Sequence, residues 1–232
     1  MRKPKMHSSP LLQRIFFQKN NRFLVLVISL VLFFTCYPIT ENSAAAKLVM
    51  NLFFMLIILS AVYAISDNLK PLLINFSLAL LIIVLRWIHY FYEVEVWVIL
   101  ELCTNILFWA YTSVYILKFI LKHSIISSEL IFAGIAVYFI LGLAWASIYQ
   151  LIEISHPHSF SIATLKTDSQ NLSFQMWYFS MVTLTTLGYG DISPVTMSAR
   201  VFVVLEAILG QFYLAILIAS LVGRSIAQRS SQ

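Results

Sequence analysis

Six long apolar segments constrain this chain more than anything else in it. They fall at about residues 22–40, 47–66, 70–92, 95–118, 129–152 and 198–223, separated by short polar stretches. Each is close to the roughly 20 apolar residues that a helix needs to cross the hydrocarbon core of a bilayer. A helix that is apolar all round must be surrounded by something apolar. Of the 232 residues only 11% are charged and 60% are hydrophobic, whereas a soluble domain carries about 25% charged residues to hydrate its surface. An ordinary soluble enzyme and a disordered chain are both excluded on that ground. The expected fold is an all-α membrane protein with six transmembrane helices.

Charge placement orients those helices. Arg2, Lys3, Lys5, Arg14, Lys19 and Arg22 crowd the first 22 residues, ahead of the first apolar segment. They read as a topogenic tail that can rest on anionic lipid headgroups, not as a nucleic-acid-binding stripe. Six crossings put both termini on one side. With that side cytoplasmic, the inner positions hold these six plus Lys70, Lys118, Lys122, Arg224 and Arg229. The outer positions hold only Lys47, Lys166 and Arg200. Eleven basic residues against three set the orientation in the cell membrane. The outer loops collect Glu41, Glu93, Glu95, Glu153, Asp168 and Asp191. Cys36 and Cys103 lie inside apolar segments, so no disulfide is expected. The first apolar run ends at Cys36-Tyr37-Pro38 without a cleavage pattern and should remain as an anchor.

Between the fifth and sixth segments the pattern changes. Residues 173–185 (SFQMWYFSMVTLT) form an amphipathic stretch too short to cross, with Asn171 or Ser173 able to cap a helix. It runs into Gly188-Tyr189-Gly190. A half-length helix followed by a glycine-rich strip, set between two full spans, predicts a re-entrant loop. Non-helical backbone at membrane depth is tolerated only where protein buries it or where it lines a watery cavity.

The strip Thr183-Leu-Thr-Thr-Leu-Gly-Tyr-Gly-Asp191 resembles the signature sequence of pore-loop potassium channels, with Leu187 where Val or Ile is common. The resemblance covers roughly residues 129–224. It implies a selectivity filter of Thr186, Leu187, Gly188, Tyr189 and Gly190, in which the carbonyls of Thr186, Leu187, Gly188 and Tyr189 replace the hydration shell of K⁺. One strip supplies one wall of a four-fold site, so a homotetramer is implied. The pore helix would point its negative dipole end toward a cation below the filter.

Support for the filter is expected from Tyr178, Phe179, Thr185, Asp191 and Glu206. The family often carries an aromatic pair, commonly Trp-Trp, where Tyr178 and Phe179 stand. Tyr178 can still donate a hydroxyl to Asp191, while Phe179 has no donor, which weakens the expected cuff around Tyr189. Val182 stands where some bacterial relatives carry Glu. Glu206, within EAILGQFY, resembles the inner helix of bacterial two-helix potassium channels and is expected to brace the filter from behind.

Gly210 sits where this family bends its inner helix, although a membrane-helix glycine also serves close packing. Leu214, Ile218 and Val222 share one face. They form either an apolar constriction closing by dewetting or an ordinary packing surface. Gln211 is placed at the cavity. Charge rules out the usual voltage sensor, which needs three or four basic charges per subunit. No Arg or Lys occurs between Val96 and Leu117. Arg86 and Glu101 lie at equal depth on adjacent antiparallel helices and are expected to form a structural ion pair. His156 and His158 suit a solvated turret, with metal binding or proton sensing as the alternative.

Four units are therefore expected: a basic segment over 1–22, a four-helix transmembrane domain over 23–122 without gating charges, a pore domain over 123–224, and a short tail over 225–232. The predicted function is passive K⁺ conduction, with K⁺ as the only cofactor-like species, membrane lipid as surroundings, and neither nucleic acid nor a cytosolic ligand-binding domain in the 232 residues. The alternatives are a non-conducting modulatory subunit and a secondary transporter. The latter should show two interrupted helices in repeated halves, and the sequence offers one. No nucleophile–base pair or metal-ligand cluster suggests an enzyme.

Overall fold

The computed structural model describes residues 21–36, 44–92, 94–123, 125–162 and 169–230. The tail residues Arg2 to Lys19, the loop residues Glu41, Glu93, Lys166 and Asp168, and the last two residues lie outside them. Among the described residues seven helices occur in order: α1 (Arg22–Cys36), α2 (Ala44–Ala64), α3 (Leu69–Tyr92), α4 (Glu95–Lys122), α5 (Ser128–Ser155), α6 (Ser169–Leu184) and α7 (Met197–Ser230). Four of them, α3, α4, α5 and α7, are long and apolar enough to cross a membrane. The apolar stretches Arg22–Cys36 of α1 and Val49–Ala64 of α2 are shorter. Helix α7 continues to Ser230, past the expected end of the sixth segment near residue 223.

A continuous apolar core joins α1 to α5. On α1, Phe23, Leu26 and Leu30 recur at helical spacing and are fully buried. They meet Ile57, Ile58 and Ala61 of α2, Phe108, Trp109 and Ile116 of α4, and Ala133, Val137 and Ile140 of α5. The small residues Ala133, Gly134 and Ala136 are buried on α5, and the Leu217 side chain of α7 lies directly against Gly134. Helix α5 is the hub: 61% of its most apolar window is buried, against 11% for α7, although both windows are similarly apolar. Ser127 caps α5 by accepting a hydrogen bond from the Leu130 amide at 3.3 Å.

A second cluster positions the loop between α5 and α7. Trp145, Ala146 and Tyr149 of α5 pack on Met176 and Phe179 of α6, with Phe160, Ile192 and Ala199 completing it. Phe160 and Ile192 belong to a short antiparallel ribbon, β1 (Phe160–Ile162) paired with β2 (Ile192–Pro194), in the register Phe160↔Pro194, Ser161↔Ser193 and Ile162↔Ile192. The all-helical expectation contained no such ribbon. It ties the chain before α6 to the chain after the glycine strip, so the ends of the loop are held together.

Candidate functional site

Helix α6 ends at Leu184, and the way it ends sets the path of the strip. The Leu187 amide donates to Val182 O at 2.9 Å, and the Thr186 amide donates to Thr183 O at 3.0 Å. This six-to-one and five-to-two pairing is the Schellman closure of a helix C-terminus, which normally places glycine in the left-handed position. Here Thr186 occupies it, at φ 58°. A β-branched residue is costly in that region, by roughly 1–2 kcal/mol. Such strain persists only where the surroundings impose it, and it clusters at functional sites.

Beyond Thr186 the backbone alternates. Gly188 has φ 57° and Gly190 has φ 80°, whereas Leu187 and Tyr189 keep negative φ. In an ordinary strand, successive carbonyls point to opposite sides. Alternation between left- and right-handed residues turns successive peptide groups the same way, as in backbone nests. Residues 185–191 are all exposed in the single chain, and a Cβ at Gly188 or Gly190 would meet nothing within 4 Å. The glycines serve backbone conformation and not close packing.

Behind the strip, Asp191 is held twice. Its Oδ2 accepts the Tyr178 hydroxyl at 2.8 Å, and its Oδ1 accepts the Ile192 amide at 3.1 Å. Phe179 contributes no hydrogen bond but is buried against Tyr149 and Phe160, with ring centroids 5.4 and 5.5 Å away. Thr185 turns its hydroxyl back to Met181 O at 2.7 Å. Glu206, fully buried on α7, receives the Tyr149 hydroxyl from α5 on one carboxyl oxygen and meets Ser180 of α6 with the other. Three helices therefore converge on a single carboxyl group.

Helix α7 presents two different faces. Glu206, Gly210, Tyr213, Leu217 and Arg224 lie along the side toward its own chain. An added Cβ at Gly210 would stand 2.7 Å from Leu184 Cδ2 and 3.2 Å from Leu184 O, so the helix passes directly against the end of α6. Tyr213 donates to Gly134 O at 2.6 Å, and Leu217 lies against Gly134. On the other side Gln211, Ile218 and Val222 are exposed, while Leu214 is half-buried.

Residues 125–225 match the family model described as ion channel. The matched segment comprises α5, the ribbon, α6, the strip and most of α7, and leaves α1 to α4 outside the match. No curated protein matches the chain.

The remaining candidate residues lie away from the strip. Arg86 Nε sits 3.0 Å from Glu101 Oε1, with its guanidinium 3.9 Å from the centre of the Phe54 ring. This pair belongs to the helices preceding the matched segment. His156 and His158 are exposed. The His158 amide donates to Glu153, whose second oxygen accepts the Phe160 amide at 3.0 Å.

Two polar links escaped sequence reading. Buried Arg22 pairs with Asp67 of the α2–α3 turn and, at 2.9 Å, with Glu129 of α5. Arg224 of α7 donates to the carbonyls of Ile120 at 2.8 Å and His123 at 2.6 Å, at the end of α4. Both join the first four helices to the matched segment. In the sequence Arg22 is the last residue of a basic tail. Its position at a segment boundary was the only signal, and the partners lie 45 or more positions away.

Proposed function

We propose that this chain is the subunit of a potassium-selective channel with six membrane crossings, four copies surrounding one axis, and no voltage sensor of the usual kind. The strip Thr186–Gly190 carries the proposal: its φ angles alternate in sign, as carbonyls directed to one side require, and it follows a half-length helix on a surface its own chain leaves uncovered. Oxygens so arranged suit a dehydrated monovalent cation, and four-fold repetition completes the shell. Thr186 to Tyr189 supply the carbonyls, Gly188 and Gly190 the permissive backbone, and Tyr178 with Asp191 the bracing.

The low burial of α7 supports assembly. An apolar helix that its own chain covers over only 11% of its window has the rest of its surface to give to other copies and to lipid. On the exposed face, Gln211 lies nearest the filter and Ile218 and Val222 further along, which suits a cavity narrowing to an apolar gate. Gly210 would permit the inner helix to bend. Helix α4, without Arg or Lys between Val96 and Leu117, offers no charge for a membrane field to move. The basic residues Arg22, Lys118, Lys122 and Arg224 gather at one end of the bundle, which supports a cytoplasmic location for that end.

Reconstitution into liposomes tests the proposal. A K⁺ flux blocked by Ba²⁺, with little passage of Na⁺, is the expected result. Equal Na⁺ and K⁺ flux, or indifference to Ba²⁺, would overturn it. A current steeply dependent on voltage would overturn the reading of α4.

A further inference from the structure

The carboxyl group of Glu206 sits in a chain of three oxygen–oxygen contacts that two hydroxyl protons cannot fill. Its two oxygens face the Tyr149 hydroxyl and the Ser180 hydroxyl. Ser180 Oγ also lies 2.9 Å from Gly142 O. A serine hydroxyl has one proton to donate and can accept through its lone pairs. If that proton goes to Gly142 O, the contact between Ser180 and Glu206 needs a proton from the Glu206 side. If it goes to Glu206, the contact with Gly142 becomes two oxygens facing each other without a proton.

The surroundings remove the other way out, which would be a cation. Glu206 is 0% exposed. The titratable groups facing it are Tyr149 and Tyr138, both from α5, and α6 contributes Ser180. Among the described residues no salt bridge reaches it; the buried and half-buried arginines are committed elsewhere, Arg22 and Arg86 to Asp67, Glu129 and Glu101, and Arg224 to the carbonyls of Ile120 and His123. A buried charge without a cation or a full set of donors is strongly disfavoured.

We propose that Glu206 is kept as the neutral carboxylic acid and donates its proton to Ser180 in a chain that ties the inner helix to the pore helix and the outer helix. Tyr149 O–H donates to the Glu206 carbonyl oxygen, Glu206 O–H donates to Ser180 Oγ, and Ser180 O–H donates to Gly142 O. Each proton then has one acceptor, and the Gly142 carbonyl has a lone pair to spare beyond its helix bond. Glu206 touches no permeating ion in this arrangement. It is a positioning residue: Ser180 lies one helical turn before Leu184, and Glu206 one turn before Gly210, which rests on Leu184.

Infrared spectroscopy of the full chain in lipid vesicles tests the protonation directly. The expected signature at neutral pH is a carboxylic-acid C=O stretch that shifts in D₂O and disappears in Glu206→Gln. In Tyr149→Phe the same band moves to higher frequency, because its carbonyl has lost a hydrogen bond; this assigns the band even if Glu206→Gln does not assemble. A Glu206→Gln difference spectrum with loss in the carboxylate region and none in the acid region would overturn the inference. So would an acid band indifferent to Tyr149→Phe.

The functional consequence rests on the proposed channel activity. A glutamine amide at this position can donate to Ser180 and accept from Tyr149, so Glu206→Gln should keep the wild-type K⁺ flux. Glu206→Ala and Ser180→Ala should lose most of it. Because the infrared band is read without conduction, it survives a failure of the channel reading. Normal flux without the band would defeat this inference alone.

Discussion

Replacing Gly210 with alanine would place a methyl carbon 2.7 Å from Leu184 Cδ2, 3.2 Å from Leu184 O and 3.4 Å from Leu184 Cα. The side-chain carbon can rotate away. The carbonyl oxygen and Cα cannot, because they belong to the last turn of α6, from which the strip departs. Overpacking of this kind costs about 1–3 kcal/mol. Alanine is also a better helix former than glycine by about 1 kcal/mol, so the net loss should be roughly 0–2 kcal/mol. Gly223 on the same helix isolates the second effect, since a Cβ there meets nothing within 4 Å. Gly223→Ala should therefore be neutral or stabilising. The two variants should differ by about 1–3 kcal/mol, or roughly 5- to 150-fold in the folded-to-unfolded ratio. Thermal unfolding in mild detergent, followed by tryptophan fluorescence, measures the difference. Equal stability of the two variants would refute the close-packing reasoning. Equal stability together with altered K⁺ flux in Gly210→Ala would identify Gly210 as a bending point instead.

The Arg86–Glu101 pair should be energetically coupled. Glu101→Gln leaves a largely buried guanidinium without its counter-charge and should destabilise the chain by about 3 kcal/mol, while replacing both residues with leucine should recover most of that; additive losses in a double-mutant cycle would deny the coupling. Tyr178→Phe removes the hydroxyl on Asp191 while leaving the ring in place, so K⁺ current should decay faster during sustained activity, and a wild-type time course would count against any bracing role. Gly188→Ala meets no steric obstacle yet forces an L side chain into the left-handed region, at about 1–2 kcal/mol. The variant should assemble normally and lose K⁺ selectivity; retained selectivity would mean that the glycine conformation is unnecessary.

Much of the helical plan is legible in the residues, because apolar runs of bilayer length leave few alternatives to helices in lipid. The helices α3, α4, α5 and α7 begin and end near the apolar segments that foretell them, apart from the extra two turns of α7. The strip is legible for a related reason: glycines at 188 and 190 announce backbone angles that other residues avoid. What does not show in sequence is pairing over distance. Arg22 reads as one more cation in a basic run, and only the packing of α1 against α5 brings it to Glu129. The β1–β2 ribbon is two three-residue strands, too short for any periodicity to reveal.

The face of α7 shows the same division most clearly. Its composition and length already make it a membrane helix with an acid, a glycine and an apolar row. Which side of it meets its own chain depends on where α5 and α6 stand, and the tertiary structure turns Glu206, Gly210 and Tyr213 toward them. Periodicity groups residues onto a common face, but it carries no information about what lies opposite. Apolar residues suit lipid, a neighbouring copy or an interior equally well. Packing alone distinguishes these surroundings, so the helix itself is written in the sequence and its orientation in the contacts that α5 and α6 make with it.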